Sequence, residues 1–411
     1  MKRTVWSLLL FVAAGLVIFA PHAIAQDDAS PAPLNGYYTY GKLKGVTADE
    51  AIRGGAAATS VPMWSYSVIS SRDENQYPGV MIGRSPFFHG ARTTNIPVVI
   101  IPVKFTMTDH ASGGATVYDP SAADATCSPH GTALALLQAS PILTAANFTM
   151  PFSGGINVGS GQYIDEFQRA NFWSHVSPTG NRFHTTLSPV TVAPTQSVAV
   201  PAGDGKGYAS GPGFCGSLGG LNGAWWDPVI FVGGGGGEAQ TLITNLTSAG
   251  TIKPTQFPIF LFYNVIMNQD DESECASGCA LGYHNSQNFP VQTYGVIDWD
   301  TTGLFTGSGQ TTGNSSVASH EVGEWMDDPL GTNPVPSFGH IGQVQGCQNN
   351  LEVGDALSGT VVPPVSAGGM NYDLQELAFF SWFYGAPSIA VDGTFSDNGT
   401  FASDAGAICV P

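Results

Sequence analysis

Residues 96–107 read Ile-Pro-Val-Val-Ile-Ile-Pro-Val-Lys-Phe-Thr-Met, and a run so long, apolar and β-branched is a buried strand before anything else is known of the chain. Pro97 and Pro102 lack the N–H that a ladder needs, which points to a sheet edge or a bulge there. Met63 to Ile69 reads as a shorter strand, and Phe183 to Val200, where β-formers alternate with Pro and Thr, as a hairpin or meander. With 52 Gly and 28 Pro among 411 residues the chain must turn often, so the strands belong to a loop-rich body. Two helices interrupt it, Ala133 to Gln138 and Gln162 to Trp173. The second offers Tyr163, Phe167 and Phe172 as an apolar face, and Asp165 with Arg169 as a surface salt bridge worth about a few tenths of a kcal/mol.

Gly233 to Gly237 precede a helix from Glu238 to Ser248. A phosphate loop is excluded, because no Lys-Ser or Lys-Thr follows the glycines and Glu238 would repel phosphate. The run reads as a hinge or close-packed loop, dividing a β-rich domain (37–230) from a second domain (231–411). That second part continues with a strand Pro258 to Met267, an acidic loop, a strand Gln292 to Trp299 and a helix around His320. The acids of the loop, Asp270, Asp271, Glu272 and Glu274, lack the ordered spacing of a calcium loop and read as a solvated charge run, a structural Ca²⁺ being the alternative. The expected class is α+β, with a β-rich N-terminal half and a C-terminal half in which a helix lies beside a mixed sheet.

Lys2 and Arg3, an apolar run from Val5 to Ala20 and Ala23-Ile24-Ala25 form a secretory signal, with cleavage expected after Ala25. Residues 26–36 then form a flexible leader. The first apolar run is too short for a membrane span and no later one is longer, so a secreted or periplasmic protein is expected. Cleavage moves the formal charge from −18 to −20 by removing Lys2 and Arg3, which argues against nucleic acid and anionic membranes as partners. Six cysteines in an exported chain favour disulfides, with Cys275–Cys279 closing a small loop and Cys347–Cys409 and Cys127–Cys215 as the remaining guess.

The stretch most informative about chemistry is Ser319-His320-Glu321-Val322-Gly323-Glu324, with Ser315 or Ser316 available as N-cap and Pro329 as stop. Residues four apart share a helix face, so His320 and Glu324 can bind one metal ion while Glu321 acts as a base beside it. The pattern H-E-x-x-E is one residue from the H-E-x-x-H helix of zinc peptidases, and here the chain resembles the zincin metallopeptidases. The order helix, mixed sheet, active-site helix is similar to the amino-terminal half of a zincin catalytic domain. Downstream, Glu352 and Asp355 look like the segment of the gluzincins in which a Glu is the third ligand and an Asp orients the ligand His. Their spacing differs from that family's, and Gly354 suggests a turn, so Asp355 or His340 are alternative third ligands.

The resemblance implies Zn²⁺ on His320, Glu324 and Glu352, Asp355 behind them, and a peptide or protein substrate. Metal-activated water would attack the peptide carbonyl, with Glu321 passing its proton to the leaving amine and His284 or Tyr372 supplying an oxyanion donor. Two carboxylate ligands cancel the charge of zinc and leave more of the deprotonation to Glu321; they also admit Mn²⁺, Fe²⁺ or Ca²⁺. His89, His110, His130, His175 and His184 have no ligand spacing and read as structural. Asp327 and Asp328, at the helix end its dipole disfavours for acids, read as exposed. The rival class is a noncatalytic cell-surface adhesin or glycan-binding protein, in which Trp225, Trp226, Trp382 and Tyr384 would be exposed stacking platforms. In a peptidase they would be core.

Overall fold

A computed structural model describes residues 38–41, 60–89, 93–179, 182–210, 214–268, 279–288, 291–303, 313–339, 347–385, 387–405 and 409. The expected signal peptide and leader, the acidic loop, Cys275 and His340 lie outside the described residues.

The protein is a strand-rich mixture of helix and sheet. Its long apolar run becomes the strand Thr93–Asp109, inside an 11-stranded mixed sheet. Phe257–Tyr263 runs parallel to it on one side and His184–Val192 parallel on the other, so the strand is interior and not an edge. The prolines are accommodated by local breaks. Pro97 falls at a register shift between Ile96 and Val98, and Pro102 lies between the end of one ladder at Ile100 and the start of the next at Val103. Phe183 to Val200 forms no hairpin. It becomes two strands, His184–Val192 and Gln196–Ala199, that follow one another along the same neighbour, both parallel to it.

A strand with parallel neighbours on both sides buries both faces, and alternate residues supply two cores. Ile96, Val98 and Ile100 face the core that holds Val322 and Trp325 of the helix Ser316–Asp327. Val99, Ile101, Val103 and Phe105 face the core that holds Leu242, Ile243 and Leu246 of the helix Glu238–Ser248. Each core takes residues from both sides of Gly233 to Gly237. The strand expected from Pro258 to Met267 is split into Phe257–Tyr263 and Val265–Asn268 by Asn264, which adopts a left-handed φ of 54°. The Asn264 side chain is held by Thr301, accepting from its backbone N–H at 2.7 Å and donating to its hydroxyl at 3.0 Å.

The helix Tyr163–Asn171 departs most from expectation, since every residue in it is buried. Asp165 and Arg169 do not form a surface pair. Arg169 bonds Glu166 at 2.9 Å and donates to the carbonyls of Val158 and Phe183, while Asp165 accepts from the Thr185 N–H at 2.6 Å and meets His184 at 2.7 Å. Burial pushes the Glu166 carboxyl up to about 7 even with Arg169 beside it. Replacing Arg169 by Met leaves that acid without its counter-charge, and urea denaturation is expected to report a loss of roughly 3–5 kcal/mol. A loss under about 1 kcal/mol, as for an exposed pair, would show that the network carries no such weight.

Cys127 is bonded to Cys215 and Cys347 to Cys409. Cys279 is also disulfide-bonded. Trp226, Trp382 and Tyr384 are fully buried and so are not surface platforms, while Trp225 is half-buried. No helix among the described residues is long and apolar enough to cross a membrane.

Candidate metal centre

The helix Ser316–Asp327 packs on the strands Val291–Trp299 and Gly282–Asn288 at one margin of the large sheet. Trp325 stacks on Phe257 with ring centroids 3.6 Å apart, and Val317, Val322 and Met326 are buried with it. Apolar residues spread around the helix therefore mean burial on several sides. Ser315 occupies the N-cap position but does not cap with its side chain; its hydroxyl donates to the Asp373 carbonyl instead. That bond ties the start of the helix to the strand Met370–Asp373, and Ser319 repeats the tie by accepting from the Gln375 N–H at 2.8 Å.

One turn apart, His320 Nε2 and Glu324 Oε2 lie 3.0 Å from each other. The second oxygen of Glu324 is committed elsewhere: Oε1 accepts from the backbone N–H groups of Gly354 and Asp355 at 3.1 and 3.0 Å. Those amides belong to the segment that carries Glu352 and Asp355. The turn that Gly354 suggested is thus what docks this segment on the helix. A Cβ on Gly354 would sit 2.6 Å from His320 Nδ1, so only glycine lets the two elements approach so closely.

Asp355 Oδ1 is 3.4 Å from His320 Nε2, on the ring nitrogen that faces the acids. The group that orients the ring from behind is Gln375, which the sequence reading did not single out. Its Oε1 lies 3.0 Å from His320 Nδ1, and its own amide donates to the Gly354 carbonyl at 2.6 Å. An amide oxygen can only accept, so Nδ1 carries a proton; without a metal Nε2 carries one too and donates to Glu324 and Asp355, and a bound cation would take the place of that second proton. No local motif marks Gln375, which lies 55 residues from its partner.

His284 joins the same cluster from the strand Gly282–Asn288. Its Nε2 is 2.8 Å from the Asp328 carbonyl and must donate to it, which leaves Nδ1 as an acceptor 3.8 Å from both Glu321 Oε2 and Glu324 Oε2. Glu352, held through Oε1 by the Asn350 amide, places its other oxygen 3.9 Å from His284 Nε2. That oxygen, Oε2, is buried and has no hydrogen-bond partner. Two groups sharing Glu324 could hold a metal ion: His320, Glu321 and Glu324, and His284, Glu324 and Glu352, with donor atoms of each group within 4.8 Å of one another. Tyr372 is in neither. It is buried in the short sheet where Met370–Asp373 pairs with Gly313 and Val365.

The electrostatics agree that the cluster lacks positive charge. Burial pushes Glu321 up to about 8 against the pull of His320. Burial likewise raises Glu324, and raises Glu352 far above the ordinary range with Glu324 and Asp328 adding to it. Burial opposes the charged form of His320, yet Glu324, Asp355 and Glu321 together hold its pKa well above the ordinary value. A buried carboxylate oxygen without a hydrogen bond, beside one imidazole and a second carboxylate, is what a divalent cation would satisfy, and mixed nitrogen and oxygen donors suit zinc and its neighbours.

Asp327 and Asp328 are buried, not exposed. Asp328 accepts from the N–H groups of Thr332 and Asn333, each at 2.9 Å, so it caps the turn after the helix and also fixes the carbonyl that orients His284. Burial lifts it to about 6 and lifts Asp327 to about 8. A third group, Asp165, Glu166 and His184, is bonded to Arg169 within the first core; His184 therefore has acidic partners that its spacing did not reveal.

These shifts set a pH dependence for the metal-free protein. Glu321 rises from 4.5 to about 8, so the folded state keeps a proton that the unfolded chain releases. Its contribution to stability is complete below about pH 4.5 and is lost as pH rises towards 8, at about 1.4 kcal/mol per pKa unit. The raised His320 pKa acts in the same direction. Chelator-treated protein is therefore expected to melt at a higher temperature at pH 5.5 than at pH 8, and a flat profile across that window would contradict the burial of these acids.

Searches against family models, curated proteins and solved structures returned no match to this chain.

Proposed function

We propose that the chain is an exported metal-dependent peptidase whose metal sits at Glu324, among His320, His284 and Glu352. The observation that carries this reading is the buried, unpartnered Oε2 of Glu352 facing an imidazole, within a cluster where four carboxylates meet only two histidines. The H-E-x-x-E helix against a mixed sheet supports the zincin resemblance, and through it the peptide substrate. Disulfides support export.

Zinc bound here would act as a Lewis acid and make water easier to deprotonate at neutral pH. The chain's own residues handle the proton. Glu321 is suited to take it, because burial makes its carboxylate a stronger base than an exposed one. A Cβ on Gly282 would lie 2.7 Å from Glu321 Oε1, so the glycine lets the base lie directly on the strand and holds it in place. Returning the proton to the leaving amine is the same residue's second task. Gln375 keeps His320 Nε2 aimed at the site, and the Gly354 and Asp355 amides hold Glu324 Oε1 so that Oε2 stays turned to His320. The His320 side chain, 16% exposed, is the most accessible group of the cluster, so substrate enters past it.

Elemental analysis of the purified mature chain, with assay on a mixed peptide library, tests the proposal. Expected is bound zinc or another divalent ion, with cleavage that a chelator abolishes and zinc restores. Absence of metal after loading, or cleavage indifferent to the chelator, would defeat it.

A further inference from the structure

We infer that this centre holds two divalent cations, sharing Glu324 Oε2 as a common ligand: one beside His320 and Asp355, the other beside His284 and Glu352. The inference rests on the metal-binding part of the reading above and goes beyond its single ion.

Two ring orientations support it. Each imidazole is pinned at one nitrogen by an oxygen that can only accept, Gln375 Oε1 for His320 and the Asp328 carbonyl for His284. Each thereby turns its other nitrogen, the one left to ligate a metal, to the same oxygen, Glu324 Oε2, at 3.0 Å from His320 Nε2 and 3.8 Å from His284 Nδ1. Fixing a ring's far nitrogen in this way is how ligating histidines are commonly oriented. Both rings meet that condition.

The donors then divide. Glu352 shares a group with His284 and not with His320, whereas Asp355 lies 3.4 Å from His320 Nε2. Glu324 alone belongs to both groups, and with Oε1 bound to two backbone amides only Oε2 remains to be shared. Glu321 lies between the positions, with Oε1 4.0 Å from His320 Nε2 and Oε2 3.8 Å from His284 Nδ1. A base so placed reaches a water on either side.

Charge supports the same count. Glu321, Glu324, Glu352 and Asp355 are all buried, with side chains at most 6% exposed. When ionised, these four acids carry twice the charge that one divalent cation offsets, so a second cation removes the need for two of them to keep a proton. Glu352 Oε2, unpartnered and buried, marks the second position independently of the helix motif. By contrast, the group Asp165, Glu166 and His184 already contains Arg169 as its counter-charge and makes no comparable demand.

The test is metal stoichiometry on the full mature chain, stripped with chelator, reloaded with Zn²⁺ and desalted, alongside Mn²⁺ loading followed by electron paramagnetic resonance. Two equivalents of zinc and a spin-coupled manganese pair are expected. In His284→Ala and Glu352→Gln, checked for folding by circular dichroism, the count should fall to one. A single equivalent in the unmodified chain with an uncoupled manganese signal overturns the two-cation inference and leaves the peptidase reading standing. No bound metal overturns both. The manganese signal of the unmodified chain decides the matter even if a variant fails to fold.

Discussion

Replacing Glu324 by Ala is expected to abolish stoichiometric metal and reduce peptide hydrolysis to background. Glu324 is the residue common to both candidate ligand groups, and its Oε1 also joins the helix to the Gly354–Asp355 turn. Loss of an outer-shell partner alone typically weakens metal binding 10–100-fold, so loss of a direct ligand that also positions Glu352 and Asp355 should exceed about 100-fold. The variant also leaves two backbone N–H groups without an acceptor, at about 1–3 kcal/mol each. Competition titration against a zinc-binding dye measures the first effect and urea denaturation the second. Retention of wild-type affinity by a folded Glu324→Ala protein would remove Glu324 from the ligand set and the proposed function with it.

Glu321→Gln should behave in the opposite way, keeping metal while losing catalysis. An amide matches the shape of the carboxylate but cannot accept the proton, and general-base catalysis is worth about 10²–10⁴-fold. Turnover is expected to fall by that factor with metal content unchanged. The variant also removes an acid that burial raises to about 8, so in the metal-free state its stability should decline less between pH 4.5 and 8 than that of the unmodified chain. A Gln variant with full turnover would mean that Glu321 is only a buried neighbour of the centre. Equal loss of metal and activity would make it a ligand.

Much of the local structure was legible because local physics dictates it. The strand Met63–Ile69 and the helix Glu238–Ser248 have the expected bounds, since strand-forming and amphipathic helical patterns are set over a few residues. The fourfold spacing of His320 and Glu324 needed only a helix to become a contact of 3.0 Å. Non-local pairing was not legible. Two strands in line along one neighbour replaced the hairpin, because nothing between Phe183 and Val200 encodes a partner far upstream at Ile96 or Val103.

The same division runs through the centre itself. By itself the sequence determined the helix, the face that carries His320 and Glu324, and the neighbouring acid Glu321, because an α-helix converts spacing into direction. It also determined that Glu352 and Asp355 travel together. Only the tertiary structure decided that His284 stands among the ligand candidates, that Gln375 sets the tautomer of His320, and that Asp327 and Asp328 are buried. Each of those outcomes depends on chain segments brought together across the sheet margin. A side chain's solvation, its protonation and the oxygen it faces are properties of what packs against it, and packing between distant segments leaves no spacing to read.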